Sequence, residues 1–225
     1  VFENLCNDVF PTILKNKAPG EIIRLWVAGC STGQEVFSFA ICFKEYLGDN
    51  HERIQIFGTD LSEPAIAKAR AGLYEKSEVD TVSPERLKDY FTKTNGGYQV
   101  NKSIRDMCVF AHHNFLKDPP FGKMDMIACR NVLIYMEPYL QKKALTTFHY
   151  ALNPRGFLLL GKSETTGGVP DLFAAVPQVD KLYTRKDGPG RFIQITSHRS
   201  EQVLSRTNDN LKTDPNRSGR NDFQK

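Results

Sequence analysis

Polar side chains of the kind that handle a small polar ligand follow apolar runs at four places. Leu25-Trp26-Val27-Ala28 breaks into Gly29-Cys30-Ser31-Thr32-Gly33-Gln34-Glu35, and Ile54-Gln55-Ile56-Phe57-Gly58-Thr59 runs into Asp60. His113-Asn114-Phe115-Leu116 follows a strand-like segment, and Arg130-Asn131-Val132-Leu133-Ile134-Tyr135 follows Met124 to Cys129. In an open α/β sheet the carboxyl ends of strands are where loops diverge and leave a crevice, so these four groups are candidates for one site.

The residue types narrow the ligand. Gly29 and Gly33 lie four apart, which is not the G-x-G-x-x-G that seats a dinucleotide pyrophosphate, and no lysine follows Gly33 as a phosphate-binding loop requires. A loop with room for close backbone approach but no phosphate grip suits a nucleoside without a polyphosphate. Asp60 stands where a carboxylate accepts hydrogen bonds from both ribose hydroxyls, although a cap for the helix starting near Ser62 uses the same position.

Glu35 falls in the first turn of its helix, where the macrodipole favours an anion; facing a crevice, it could pair with a ligand ammonium. Asn114 and Phe115 would bring an amide and an apolar ring beside a base, and Asn114 alone also reads as a turn residue. The five histidines show no paired ligand spacing, so no metal is expected, and Ser31 and Ser38 lack the G-x-S-x-G of a hydrolase elbow.

The elements that must position these residues alternate. Ile22 to Ala28 reads as a buried strand, and Val36, Phe39, Ala40, Phe43 and Leu47 as one face of a helix ended by Gly48-Asp49-Asn50. A second strand to Thr59 and a helix through Ile66 and Ala69 to Gly72 complete a right-handed parallel unit. Residues 74 to 110 change character: a short helix from Ser83 through Phe91, a turn at Asn95-Gly96-Gly97, and strand-like Tyr98 to Val100 and Asp106 to His112 predict a small antiparallel insert.

Alternation then resumes with Met124 to Cys129, a helix over 138–152, a turn at Asn153-Pro154-Arg155-Gly156 and a strand from Phe157 to Leu160. Phe173 to Val176 and Lys181 to Thr184 predict a closing antiparallel edge. Residues 1–15 read as an amphipathic helix interrupted near Pro11, which serves packing. The expected fold is therefore an α/β, doubly wound, mostly parallel sheet with a small antiparallel β insert, spanning residues 1–186. Beyond it, 187–225 should be a polar linker or disordered tail, with Arg191 to Thr196 able to form one extra strand.

Composition sets the outer bounds. The chain has 225 residues and a net charge of +4, of which Lys186 to Lys225 holds +3 (eight Lys and Arg, five acids), so the body is nearly neutral and nucleic acid is not an expected partner. Five cysteines without a C-x-x-C pair suggest neither a disulfide framework nor a zinc ribbon and fit a reducing cytoplasm. No apolar run approaches the roughly 20 residues that span a bilayer, so membrane insertion is not expected.

Taken in order, Ala28 to Glu35, Thr59-Asp60-Leu61, Ala69-Arg70-Ala71-Gly72-Leu73-Tyr74, Asn114-Phe115-Leu116 and Cys129 to Tyr135 resemble the chemotaxis-receptor glutamate methyltransferase family (CheR). Cys-Arg-Asn-Val-Leu-Ile-Tyr followed by a Gly-Lys-Ser-Glu end, here Gly161 to Glu164, is particular to that family. The resemblance implies a seven-stranded Rossmann-like methyltransferase sheet, S-adenosyl-L-methionine as cofactor with S-adenosyl-L-homocysteine as product, and methyl transfer to glutamate side chains in the cytoplasmic domain of chemotaxis receptors.

Position by position, the resemblance makes Glu35 and Asp60 acidic cofactor contacts, Asn114 and Phe115 adenine-side contacts, and Arg130 and Asn131 contacts near the methionine end. Tyr135 matches a tyrosine beside the transferable methyl, the catalytic candidate. The insert matches the family's β-subdomain, which in some members docks a receptor peptide; the short Asn95-Gly96-Gly97 connection resembles members that do without it. Gln34 replaces a commoner glutamate. An N-terminal helical domain and an N-x-T-x-F-F-R segment that brings an arginine to the active site would precede Val1, so the chain is expected to be a fragment that binds the cofactor without full transfer activity. A catalytically incomplete, cofactor-binding regulatory module of a larger signalling protein, with further signalling domains in the same polypeptide, is the competing expectation.

Overall fold

The computed structural model describes residues 5, 9–18, 20–48 and 53–188. Helix α1 (Phe10–Lys15) leads into β1 (Ile23–Ala28), in which every residue but Arg24 is buried. Helix α2 (Gln34–Leu47) buries Val36, Phe39, Ala40 and Phe43 and stops at Gly48. After β2 (Ile54–Asp60), helix α3 (Glu63–Ala71) is capped at its start by the Ser62 hydroxyl, which accepts the Ala65 N–H at 3.3 Å.

The insert follows: β3 (Leu73–Glu75), α4 (Pro84–Tyr90), β4 (Phe91–Thr94) and β5 (Gly97–Val100). Its three strands form a separate antiparallel sheet in the order β3-β5-β4. A single-turn α5 (Lys102–Arg105) returns the chain to β6 (Cys108–His112), then β7 (Met124–Cys129), α6 (Pro138–Ala151), β8 (Leu152–Leu160), β9 (Phe173–Ala175) and β10 (Leu182–Arg185).

The main sheet has seven strands in the order β6-β2-β1-β7-β8-β10-β9. Its first five are parallel, and β10 runs antiparallel to both β8 and β9. Because strand side chains alternate faces, Leu25 and Val27 of β1 pack with Phe39 and Phe43 of α2 on one side, whereas Trp26 and Ala28 pack with Phe148 of α6 on the other. Burying each such ring is worth roughly 1.5–3 kcal/mol, which fixes the register and hence which residues emerge at the strand ends. The order reverses beside β1, whose neighbours are β2 and β7; that switch point is where a doubly wound sheet opens.

Several sequence expectations need correction. Cys108–His112 is not part of the antiparallel insert: it pairs in parallel with β2 as the outer strand of the main sheet, so the insert closes at Val100. Pro11 sits in the first turn of α1, where its missing N–H costs nothing, and most of the helix expected before it lies outside the described residues. Phe91 opens β4 rather than ending α4. The segment 153–156 is not a turn before a strand: β8 starts at Leu152 and crosses a register shift opposite Met124 and Met126, with Arg155 at φ +62°.

The chain divides into two units, Val1–Phe192 and Ile193–Lys225. The second unit, the extra strand expected over 191–196 and the expected tail from 187, apart from Asp187 and Gly188, lie outside the described residues, as do 1–4 and 6–8 of the expected N-terminal helix. Among the described residues no helix is long and apolar enough to cross a membrane.

Candidate functional site

The Gly29–Gly33 loop turns because three of its residues take left-handed backbone: Gly29 at φ +74°, Ser31 at +49° and Gly33 at +89°. The Thr59 carbonyl at the end of β2 accepts the N–H groups of Gly29 and Cys30 at 2.8 and 2.9 Å, and the Tyr74 hydroxyl donates to the Thr32 carbonyl at 2.7 Å. Asp60, the last residue of β2 rather than one past its end, ties loop to strand: Oδ2 accepts the Ser31 N–H at 2.8 Å and Oδ1 the Ser62 N–H at 2.9 Å. The helix cap proper is Ser62, so each Asp60 oxygen keeps a lone pair beyond its one backbone bond.

A cleft of about 280 Å³ opens at these strand ends. Gly29, Ser31, Asp60 and Leu61 line one side; His113 to Leu116, after β6, and Asn131, Val132, Tyr135 and Met136, after β7, line the rest. A cleft of about 420 Å³ lies elsewhere, between α2 and the insert, but only the smaller one collects loops from the strand ends at the switch point.

Each expected site residue can now be placed. Phe115 is buried against Phe148 with ring centroids 5.3 Å apart and lines the cleft. Asn114 does close a turn, its Oδ1 accepting the Leu116 N–H at 3.0 Å while its own N–H donates to Asp118; no hydrogen bond ties its Nδ2 to a described residue. Asn131 lines the cleft from a left-handed backbone at φ +60°, and Tyr135 stands at the rim, 84 % exposed, at the end of a 3₁₀ turn over Leu133–Tyr135.

Glu35 and Arg130 do not line the cleft; they meet each other, Arg130 Nη1 lying 3.4 Å from Glu35 Oε1. The pair is close enough for attraction but not aligned for a hydrogen bond, and Oε1 is buried without an acceptor's usual partner. Burial raises the Glu35 pKa, Arg130 opposes that, and the Glu164 carboxylate adds to it. Cys30, in the loop itself, is no nucleophile: burial, then the Asp60 charge, push its thiol up to about 12.

Two contributors escape a sequence reading. Val132 seats its methyls over Gly29, where an added Cβ would come within 2.4 Å of Cγ2. Glu164, 4 % exposed, gathers backbone N–H groups from the loop after β7. The Gly161 to Glu164 stretch was visible in the sequence, but nothing local says what its carboxylate holds.

The family model "CheR methyltransferase, SAM binding domain" matches residues 1–181. The chain is 37% identical over 182 residues to the chemotaxis protein methyltransferase Cher2 of Pseudomonas putida, covering 78% of this chain and 66% of that protein. It is 36% identical over 184 residues to an uncharacterized 104.1 kDa protein of Rhodobacter capsulatus, covering 81% and 19%. The chain thus spans just under two thirds of the first relative's length and about a fifth of the second's. A solved carbon methyltransferase, DszA, aligns with a TM-score of 0.47 and 15% identity over 75% of this chain and 36% of that one.

Proposed function

This chain belongs to the CheR methyltransferase family as its S-adenosylmethionine-binding domain, and from that membership we propose that it methylates glutamate side-chain carboxylates of chemotaxis receptors. The observation that carries the reading is the convergence of four strand-end loops, with Asp60, Asn114, Phe115, Asn131 and Tyr135, on one cleft at the switch point. The Pseudomonas putida relative's name supplies the chemotaxis setting, and a cytoplasmic location goes with that substrate. Residues 1–186 would be the cofactor-binding unit.

The residues fit the proposed cofactor. S-adenosylmethionine, when bound, supplies an electrophilic methyl group. Asp60 would hold the ribose hydroxyls with the lone pairs left over from Ser31 and Ser62, and Asn114 and Phe115 would flank the adenine. Glu35 and Arg130, outside the cleft lining but next in the chain to the glycine loop and to Asn131, would meet the ammonium and carboxylate of the amino-acid end where it reaches past the cleft, with Asn131 beside them. A glutamate substrate is already ionised near neutral pH, so no side chain here need act as a base. Tyr135, at the rim, would orient the incoming carboxylate, and the exposed side chains of Leu61 and Ile134 nearby would shed water as a substrate docks.

Methyl esters are cleaved by base, which gives a specific test. Incubated with receptor-rich membranes and tritiated cofactor, the chain should transfer label that alkali releases as volatile methanol. Alkali-stable label would mean that another group is methylated. Saturable cofactor binding with no transfer would favour a second reading, a cofactor-binding module within a longer signalling protein; the Rhodobacter capsulatus relative, in which the matching region is 19% of the length, motivates it.

A further inference from the structure

We propose that Glu164 is a positioning residue for the cleft: its buried carboxylate fixes the backbone of Asn131, Val132 and Leu133, and through them the wall that ends in Tyr135. The part of this proposal that concerns ligand affinity rests on the cofactor reading above.

The carboxylate is fully engaged. Oε2 accepts the N–H groups of Gly161 at 2.6 Å and Asn131 at 3.1 Å, and Oε1 those of Val132 at 2.8 Å and Leu133 at 2.7 Å. No cation pairs with it among the described residues; Lys181 donates to the Glu164 carbonyl instead, at 2.9 Å. Burying a carboxylate is costly unless its lone pairs are met, and four converging N–H groups meet them. An apolar side chain would fill the space without that cost, so the charge marks a demand for a defined backbone path rather than for packing alone.

That path is unusual. Asn131 is left-handed, and three successive N–H groups, 131 to 133, point at one side chain, which an unrestrained loop has no reason to do. Gly161 has no Cβ in the way: one would come within 2.7 Å of Glu164 Oε2 and 2.9 Å of the Asn131 nitrogen. The far end of the same turn is held by Gln141, whose Nε2 donates to the Leu133 and Met136 carbonyls at 3.1 and 3.0 Å. Val132 then rests on Gly29, so a shift of this turn would reach the glycine loop across the cleft.

The test compares single-amide hydrogen exchange by NMR in the wild-type chain and in Glu164→Gln, with and without S-adenosylhomocysteine. Gln keeps the shape but turns a donor toward N–H groups. The amides of Asn131, Val132, Leu133 and Gly161 should exchange about tenfold faster or more, in line with loss of at least one charge-assisted bond, while those of Met126, Ile127 and Ala128 in β7 keep their rates. Affinity for S-adenosylhomocysteine should fall about tenfold. Unchanged rates at the four amides, acceleration of β7 by the same factor, or unchanged affinity would each overturn the proposal. Should Glu164→Gln not fold, Glu164→Asp, which keeps the charge and shortens the reach, is read by the same criteria; failure of both to fold would assign Glu164 to the fold as a whole and overturn it too. A wild-type chain that binds no S-adenosylhomocysteine would sink the cofactor reading but leave the exchange comparison intact.

Discussion

Gly29→Ala should lower stability by about 2–5 kcal/mol and weaken cofactor binding more than tenfold. The first figure joins the cost of a left-handed non-glycine residue, about 1–2 kcal/mol, to that of overpacking, about 1–3 kcal/mol. Gly29 stands at φ +74°, and its new Cβ would lie 2.4 Å from Val132 Cγ2. Val132 cannot simply swing away, because its N–H is held by Glu164 and its neighbours are held with it. The displacement must therefore open the glycine loop or push Val132 into the cleft. Thermal unfolding with a titration of S-adenosylhomocysteine measures both effects; a variant as stable and as avid as the parent would show that the Gly29–Val132 contact has slack.

Asp60→Ala should reduce affinity for S-adenosylhomocysteine by about 10- to 100-fold, since hydrogen bonds to a charged acceptor are worth roughly 1.5–3 kcal/mol. The structure sharpens what else is lost. Each carboxylate oxygen holds one backbone N–H, at Ser31 and at Ser62, so part of the loss passes through the shape of the glycine loop. Asp60→Asn separates the two contributions, because its one oxygen can still serve a backbone N–H. Lowered stability with unchanged affinity would return Asp60 to a purely structural role.

These two residues also show how much was legible beforehand. The glycine loop and Asp60 could be read because the end of a central strand leaves a local mark: a mostly apolar run rich in branched residues stops, and polar or glycine residues begin. The same mark located β7 and the residues after it. The outer strand β6 leaves a weaker one. Only Phe110 is buried in Cys108–His112, so its pattern matches a solvent-facing antiparallel strand, and only its parallel register with β2, from Ile56 through Asp60, shows where it belongs.

Long-range pairings were beyond local reading altogether. Glu35 and Arg130 looked like two separate ligand contacts, and it is the adjacency of β1 and β7 that brings them to 3.4 Å of each other. Glu164 collects N–H groups from 31 to 33 residues earlier in the chain. Asn114 shows the opposite case: its turn-forming role was visible locally, and the structure adds the cleft on which that turn opens.

The strand-end cleft is the place proposed for the cofactor. Titrating S-adenosylhomocysteine into the isotope-labelled chain while following backbone amides by NMR tests both binding and place. Binding there gives saturable shifts confined to Gly29–Glu35, Asp60 and Leu61, His113–Leu116 and Arg130–Met136. No saturable shifts, or shifts centred on Phe37, Ile41 and Val79 in the cleft between α2 and the insert, would contradict it.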